Sequence, residues 1–419
     1  METESILSNV RTASRPTELK ITDMRIVRTQ VGGPILKLYT NQDIYGLGEV
    51  RDGGSPTYAL MLKSRLIGEN PCNVDKVFRK IKQFGHHGRQ GGGISGIEMA
   101  LMDLAGKAYG VPCYQLAGGK FRDKIRCYSD TPSIKDAEEM GRKLQARIDR
   151  GFTFLKMDVG VGLLRGVEGT ISAPEGSLNT HNIMHPFTGI RLTEKGIGIL
   201  CEYVETVRNI IGYEIPLAVD HFGHIGIEDC IRLAGALEKY NLAWLEDMVP
   251  WQYTDQYVRL SNSCATPICT GEDIYCKEDF VPLFENRAIA ICHPDIATSG
   301  GILETKKIGD LAEEHGIAMA LHMAGTPVCA MASVHCAAAT SNFLVLENHS
   351  VDNPWWDDMV TGLPNPIIQD GYIAVPETPG LGIDLDEEVI REHLHSGETG
   401  YFMPTTEWDA ERSHDRLWS

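Results

Sequence analysis

The feature that most constrains this fold is a series of polar residues at a nearly constant interval, each near the end of an apolar run. The intervals are 26, 26, 23, 27 and 25 residues. The residues are Asp220 in PLAVDH, Glu246 in AWLED, Glu272 in CTGEDI, Asp295 in CHPDIA, His322 in MALHMAG and Glu347 in LVLEN. This interval is typical of one strand plus one crossover helix in a parallel β/α repeat. In a barrel of such repeats all strands end at one shared cavity, where the six side chains would meet.

The pattern along the chain predicts an α/β protein in three segments. Residues 20–123 read as an α+β capping domain, with strands first and then helices. Residues 124–375 alternate strand-like and helix-like runs and predict a (β/α)8-type, modified TIM barrel. Residues 376–419 are expected to pack back on the capping domain. The glycines of RQGGGISG are expected to form a turn before a helix that begins near Ile97, because no strand precedes them.

Composition excludes several classes of partner. The net charge of −18 over 419 residues argues against nucleic acid and anionic membrane surfaces. The N-terminal region has no apolar core typical of a signal peptide, and no apolar run is long enough to span a membrane. The eleven cysteines show no C-x-x-C pair, so we expect reduced thiols and a cytosolic protein.

The spaced acids predict a metal site, and the next two residues predict a base. Asp220, Glu246 and Glu272 would offer oxygen ligands from three consecutive strands, which suits Mg²⁺. The alternative is that each acid caps a helix. Asp295 and His322 would form a pair in which the carboxylate fixes the imidazole tautomer and raises its basicity.

Further residues are candidates for catalysis or substrate binding. Lys156 and Asp158 in LKMDVG share one strand face, opposite His322, and Lys156 could have a lowered pKa or simply pair with the acids. Glu347 could share a proton with a substrate oxygen or cap a helix. Candidate substrate-binding residues come from loops: His86, Arg89, His221, His224, and, in the long segment after the second barrel strand, Arg165, His181, His185 and Arg191. That long segment could instead be a surface elaboration or an oligomer contact.

These motifs together resemble the enolase superfamily, and within it the mandelate racemase subgroup. The resemblance rests on the three spaced acids, on the Asp295–His322 pair followed by Glu347, and on the capping-domain run SGIEMALMDLAGKAYGVPCYQLAGG. It covers about residues 20–390. It implies a small carboxylate substrate bound to Mg²⁺, abstraction of the proton α to that carboxylate by the His–Asp pair, and an enediolate intermediate. It also implies assembly into a homo-oligomer.

One departure from the family pattern directs the choice of reaction. Lys156 falls at the first lysine of the family's K-x-K motif, but Asp158 replaces the second, so the usual second base of a racemase is absent. The resemblance therefore favours one-sided chemistry, in which a sugar acid loses a β-hydroxyl to give a 2-keto-3-deoxy acid. The alternatives are a sugar-acid cycloisomerase or epimerase, and a non-catalytic barrel.

Overall fold

The computed structural model describes residues 15–86, 88–176, 189–220 and 225–412. The first part is an antiparallel meander of three strands followed by five helices. The strands are β1 (Ile21–Val27), β2 (Ile35–Thr40) and β3 (Tyr45–Glu49). The helices are α1 (Thr57–Leu60), α2 (Lys63–Leu66), α3 (Val74–Ile81), α4 (Gly92–Tyr109) and α5 (Cys113–Leu116).

Helix α4 lies on strand β3 at unusually close range because glycines face each other there. A Cβ at Gly48 would lie 1.9 Å from the Gly96 carbonyl oxygen, and α4 is equally close to α1, where a Cβ at Gly93 would lie 2.2 Å from the Tyr58 backbone. The expectation of a glycine turn and a helix start near Ile97 was therefore wrong. The helix begins at Gly92, and its glycines permit this close packing rather than making a turn.

Eight parallel strands then form the barrel, with helices on the outside. The strands are β4 (Lys124–Ser129), β5 (Leu155–Asp158), β8 (Leu217–Asp220), β9 (Leu245–Glu246), β10 (Ile268–Thr270), β11 (Ile291–Cys292), β12 (Ala318–Leu321) and β13 (Phe343–Asn348). The strands pair in parallel in the order β5, β8, β9, β10, β11, β12, β13 and β4, with one register shift between β12 and β13. Between β4 and β5, Arg126 Nε donates to Thr153 Oγ1 at 2.8 Å.

The barrel helices follow the strands as the alternating pattern predicted. They are α6 (Ala137–Asp149), α7 (Glu194–Ile211), α8 (Ile227–Leu237), α9 (Thr254–Ser261), α10 (Cys276–Glu285), α11 (Ile296–Ser299), α12 (Gly301–Glu314) and α13 (Pro327–Ala339). The long segment after β5 carries a short hairpin of β6 (Ile171–Ser172) and β7 (Arg191–Leu192). The architecture confirms a modified TIM barrel with an N-terminal capping domain.

The remaining chain runs from the barrel back to the capping domain. It contains β14 (Val360–Thr361), β15 (Tyr372–Ala374), β16 (Asp384–Leu385) and α14 (Glu387–Glu392), of which β15 pairs antiparallel with β4. Tyr45 Oη lies 2.6 Å from Asp384 Oδ1, and Lys63 Nζ donates to Thr405 Oγ1 at 3.0 Å. These contacts are those expected of a tail that packs on the capping domain, although the segment boundaries themselves stay a prediction. Among the described helices, none has the length and apolar character needed to cross a bilayer.

Candidate active site

Side chains alternate along the barrel strands, so that a polar layer lies above a mainly apolar layer in the barrel interior. One residue from each of the eight strand segments fills the barrel interior: Tyr128, Phe154, Ala218, Trp244, Cys269, Ile291, Ala320 and Val345. Because side chains alternate, the residue two positions later on each strand faces the same cavity nearer its mouth. That second layer is Asp130, Lys156, Asp220, Glu246, Gly271, His293, His322 and Glu347. The fold thus brings four of the six evenly spaced residues into one layer, whereas Glu272 and Asp295 follow its members Gly271 and His293 by one and two positions.

Lys156 is surrounded by carboxylates in this layer. Its Nζ lies 2.8 Å from Asp220 Oδ2, 2.9 Å from Glu347 Oε1 and 3.3 Å from Glu246 Oε2. Burial opposes the ammonium charge, but the three carboxylates hold the pKa of Lys156 well above its usual range. The hypothesis of a lowered lysine pKa therefore finds no support, and the structure favours the alternative of a lysine paired with the acids.

Asp295 and His322 lie side by side as expected, but the expected rise in the basicity of the imidazole is not found. His322 Nδ1 lies 2.6 Å from Asp295 Oδ2, and the carboxylate also accepts from the Ala297 amide at 2.6 Å. Burial, with the nearby Arg51 charge, lowers the pKa of His322 well below its usual range. The imidazole is therefore neutral at neutral pH, and its Nε2 lies 3.3 Å from Glu272 Oε2 on the side of the polar cavity.

Arg51 from the capping domain joins this pair and was missed by the sequence reasoning. Its Nη1 donates to Asp295 Oδ2 at 2.7 Å and lies 3.1 Å from His322 Nδ1, while Nη2 lies 3.4 Å from Glu272 Oε1. Its side chain is only 1% exposed. Because 244 residues separate Arg51 from Asp295, no local pattern in GLGEVRD indicated the contact.

The acids predicted to bind metal are divided between two groups. Oxygens of Asp220, Glu246 and the adjacent Asp247 lie within 4.8 Å of one another, whereas Glu272 contacts Arg51 and His322. Burial, with mutual repulsion, raises the pKa of Glu272 to about 7 and that of Asp247 well above its usual range. These carboxylates repel one another when all are ionised, and a divalent cation such as Mg²⁺, which prefers oxygen ligands, would offset that repulsion.

A second histidine that the sequence reasoning missed lies beside Glu347. His349 Nε2 is 3.5 Å from Glu347 Oε1, and its Nδ1 is 3.6 Å from Asp130 Oδ2. Burial opposes its charge, but the two carboxylates raise the pKa of His349 to about 9. Its ring lies edge-on to His322, with 5.0 Å between centroids. The spacing of two in LENHS could have indicated that Glu347 and His349 share a strand face.

Two more capping-domain acids fix the helices that follow Asp295 and His322. Glu49 accepts hydrogen bonds from the Thr326 and Cys329 amides at the start of α13. Glu98 accepts from the Ile302 and Leu303 amides at the start of α12. Carboxylates are favourable at helix N-termini, where amide donors lack partners within the helix. The capping domain therefore helps to set the position of both halves of the pair.

The predicted substrate-binding residues, and Asp158, which was predicted to assist catalysis, are more scattered. Arg89 Nη1 contacts Asp52 Oδ2 at 3.0 Å, Arg191 Nε donates to Asp229 at 2.8 Å, and Asp158 Oδ2 accepts from the Ser133 amide at 3.2 Å. Arg165 directly follows a short 3-10 helix at 161–164. His86 lines a cleft of about 410 Å³ together with Lys82, Tyr275 and other residues. His181, His185, His221 and His224 lie outside the described residues.

Comparison with known proteins gives a consistent family assignment. Residues 139–389 match the family described as enolase C-terminal domain-like, and residues 2–118 match the mandelate racemase / muconate lactonizing enzyme N-terminal domain. A D-xylonate dehydratase of Haloferax volcanii is 35% identical over 94% of this chain and 93% of its own length. A D-galactonate dehydratase of Ralstonia pickettii is 28% identical over 89% of this chain and 94% of its own length.

Solved structures agree with the sequence relatives. A mandelate racemase/muconate lactonizing enzyme-like protein from Rubrobacter xylanophilus superimposes with a TM-score of 0.81 and 32% identity. The match covers 92% of this chain and 99% of that protein.

Proposed function

Because the chain belongs to the mandelate racemase and muconate lactonizing enzyme family of the enolase superfamily, we propose that it is a Mg²⁺-dependent acid-sugar dehydratase. It would remove the proton α to the carboxylate of a sugar acid and expel a β-hydroxyl, giving a 2-keto-3-deoxy acid. The names of its relatives, a D-xylonate dehydratase and a D-galactonate dehydratase, favour an aldonic acid as substrate. The enzyme is accordingly a hydro-lyase.

The observation that carries this proposal is the buried Asp295–His322 pair facing the polar layer. Asp295 holds His322 Nδ1 at 2.6 Å, so the other ring nitrogen, Nε2, which lies 3.3 Å from Glu272 Oε2, carries the lone pair that would take a proton from a substrate in the cavity. Burial, together with the Arg51 charge, lowers the pKa of His322, which keeps the imidazole in its proton-accepting form. Glu347 would hydrogen-bond an enolic oxygen, and Lys156 lies against it as a fixed positive charge.

Asp220, Glu246 and Glu272 would hold the divalent cation, with Asp247 as a further oxygen close to the first two. When bound, the cation would stabilise the negative charge that develops on the substrate carboxylate. Asp158 would assist on the face opposite His322. Arg89, His86, His185, His221 and His224 would bind the sugar hydroxyls.

A product assay tests this function. Aldonic, uronic and aldaric acids are incubated with the enzyme and Mg²⁺, and the 2-keto-3-deoxy product is measured. We expect turnover of at least one aldonic acid, its loss with EDTA, and a loss of at least about 100-fold in His322→Asn. His315→Asn, at an exposed histidine that ends α12, should retain full activity. Exchange of solvent deuterium without loss of water would instead indicate an epimerase or cycloisomerase.

We further expect a homo-oligomeric, cytosolic protein that binds neither nucleic acid nor membrane. The net charge of −18 supports the last two expectations. Size-exclusion chromatography with light scattering measures the first, and a monomer at micromolar concentration would contradict it.

A further inference from the structure

His293 is a buried histidine of the polar layer to which the proposed reaction gives no task. It follows β11 and is the residue of that strand segment that faces the cavity, two positions before Asp295. Its Nδ1 lies 2.6 Å from Glu246 Oε1, and its Nε2 lies 3.2 Å from the Tyr128 hydroxyl. Residues from three different strands are therefore joined in one line beneath the cavity.

The direction of the contact with Glu246 follows from the chemistry of its partners. An ionised carboxylate can only accept, so His293 Nδ1 donates to Glu246 whether the ring is neutral or charged. The other oxygen, Oε2, accepts from Trp244 Nε1 at 2.8 Å. Oε2 also lies 3.3 Å from Lys156 Nζ, so Oε1, held by His293, is the oxygen that keeps a further lone pair for a cation.

Burial of these polar groups costs free energy, so their presence here indicates a functional role. A buried imidazole and a buried phenol must find polar partners, whereas apolar side chains could fill the same interior positions without any. Donors that orient a metal-ligating side chain tune the metal affinity of many sites. Glu246 is the middle one of the three acids that we expect to bind the cation.

We propose that His293, oriented by the Tyr128 hydroxyl, is a positioning residue that aims the Glu246 carboxylate at the divalent cation. This inference rests on the proposed function, because it takes Glu246 as a metal ligand. Loss of His293 would remove the donor to Glu246 Oε1 and free that oxygen to rotate. Loss of the Tyr128 hydroxyl would only loosen the His293 ring, which still donates to Oε1. The effect on metal affinity should therefore be larger for His293 than for Tyr128.

Calorimetric titration of the full-length protein with Mg²⁺ alone tests the inference. We expect His293→Leu to raise the Mg²⁺ Kd by about 10- to 100-fold, as is typical when an orienting partner is removed. His293→Asn, which can place an amide N–H near the position of Nδ1, should recover part of the affinity, and Tyr128→Phe should show a smaller loss. At saturating Mg²⁺ the kcat of these variants should recover, which a purely structural defect would not allow.

His335→Leu is the matched control. His335 is equally buried in α13, but it accepts from the Tyr114 amide and stacks on the Tyr114 ring, away from the acids. Its loss should leave the Mg²⁺ Kd unchanged. A folded His293→Leu with a Kd within about twofold of the parent protein overturns the inference. If that variant does not fold, Tyr128→Phe decides, and an unchanged Kd there overturns it. A parent protein that binds no Mg²⁺ instead contradicts the proposed function.

Discussion

Replacement of Arg51 by methionine should damage both the stability and the catalysis of this enzyme. The guanidinium is the buried cation that faces Asp295, Asp52, Glu272 and Asp273, at distances of 2.7, 2.5, 3.4 and 3.9 Å. Removal of one partner from a buried ion pair typically costs about 3–5 kcal/mol, because the remaining charge is left uncompensated. We expect a loss in this range in the free energy of unfolding, measured by urea denaturation.

The catalytic effect can be estimated from the contact with Asp295. A hydrogen bond to a charged group contributes about 1.5–3 kcal/mol. If that contribution fixes Asp295 against His322, its loss should lower kcat by about 10- to 150-fold. Arg51→Lys keeps the charge but not the planar fork that reaches Asp295 and Glu272 together, so it should fall between the parent and Arg51→Met. Initial rates on the sugar acid at saturating Mg²⁺ measure both variants.

Arg208→Met provides the control for this prediction. Arg208 is equally buried, but it donates only to backbone carbonyls in the described structure, including those of Tyr240 and Asn241. Its loss should destabilise the protein without changing the kcat of the folded enzyme. The reasoning about Arg51 fails if Arg51→Met keeps kcat within about twofold of the parent, since that is well below the tenfold change that 1.4 kcal/mol produces.

Three other variants test separate parts of the structure. Burial raises the pKa of Glu98 to about 8, so its contribution to stability is fully present below the unfolded value near 4.5 and lost as pH rises through 8. Glu98→Gln should therefore flatten the fall in Tm between about pH 5 and 8. An unchanged slope would contradict this. Lys156→Met removes the ammonium group that lies against three carboxylates. Because Mg²⁺ would then be their main compensating charge, it should raise the Tm of this variant more than that of the parent. An equal rise in Tm refutes the prediction. Gly93→Ala should lower the urea concentration at which the capping domain unfolds, because the new methyl group meets the Tyr58 backbone. Gly235→Ala, in open space on α8, is the control and should be neutral or stabilising by about 0.5–1 kcal/mol. Similar midpoints of urea unfolding for the two variants would count against the close packing.

The sequence by itself determined the barrel and the layer of polar residues at its mouth. Interval and alternation are local properties, since one strand and one helix set the spacing and the pleat sets which side chains share a face. That was sufficient to place Asp220, Glu246, His322 and Glu347 in one cavity. The same alternation extends to His293 and His349, two positions from Asp295 and Glu347, and so could also have indicated these two histidines.

Only the tertiary structure decided which partners these residues have. Arg51, Glu49 and Glu98 reach the barrel from the capping domain across more than 200 residues of sequence. No periodicity links such positions, because their contacts arise from how two separately patterned units pack. The charge of Lys156 was also a tertiary outcome: the field of three carboxylates outweighs its burial, whereas sequence reasoning allowed a lowered pKa. Local periodicity therefore fixed the positions of the polar residues along the barrel, and long-range electrostatics fixed their states.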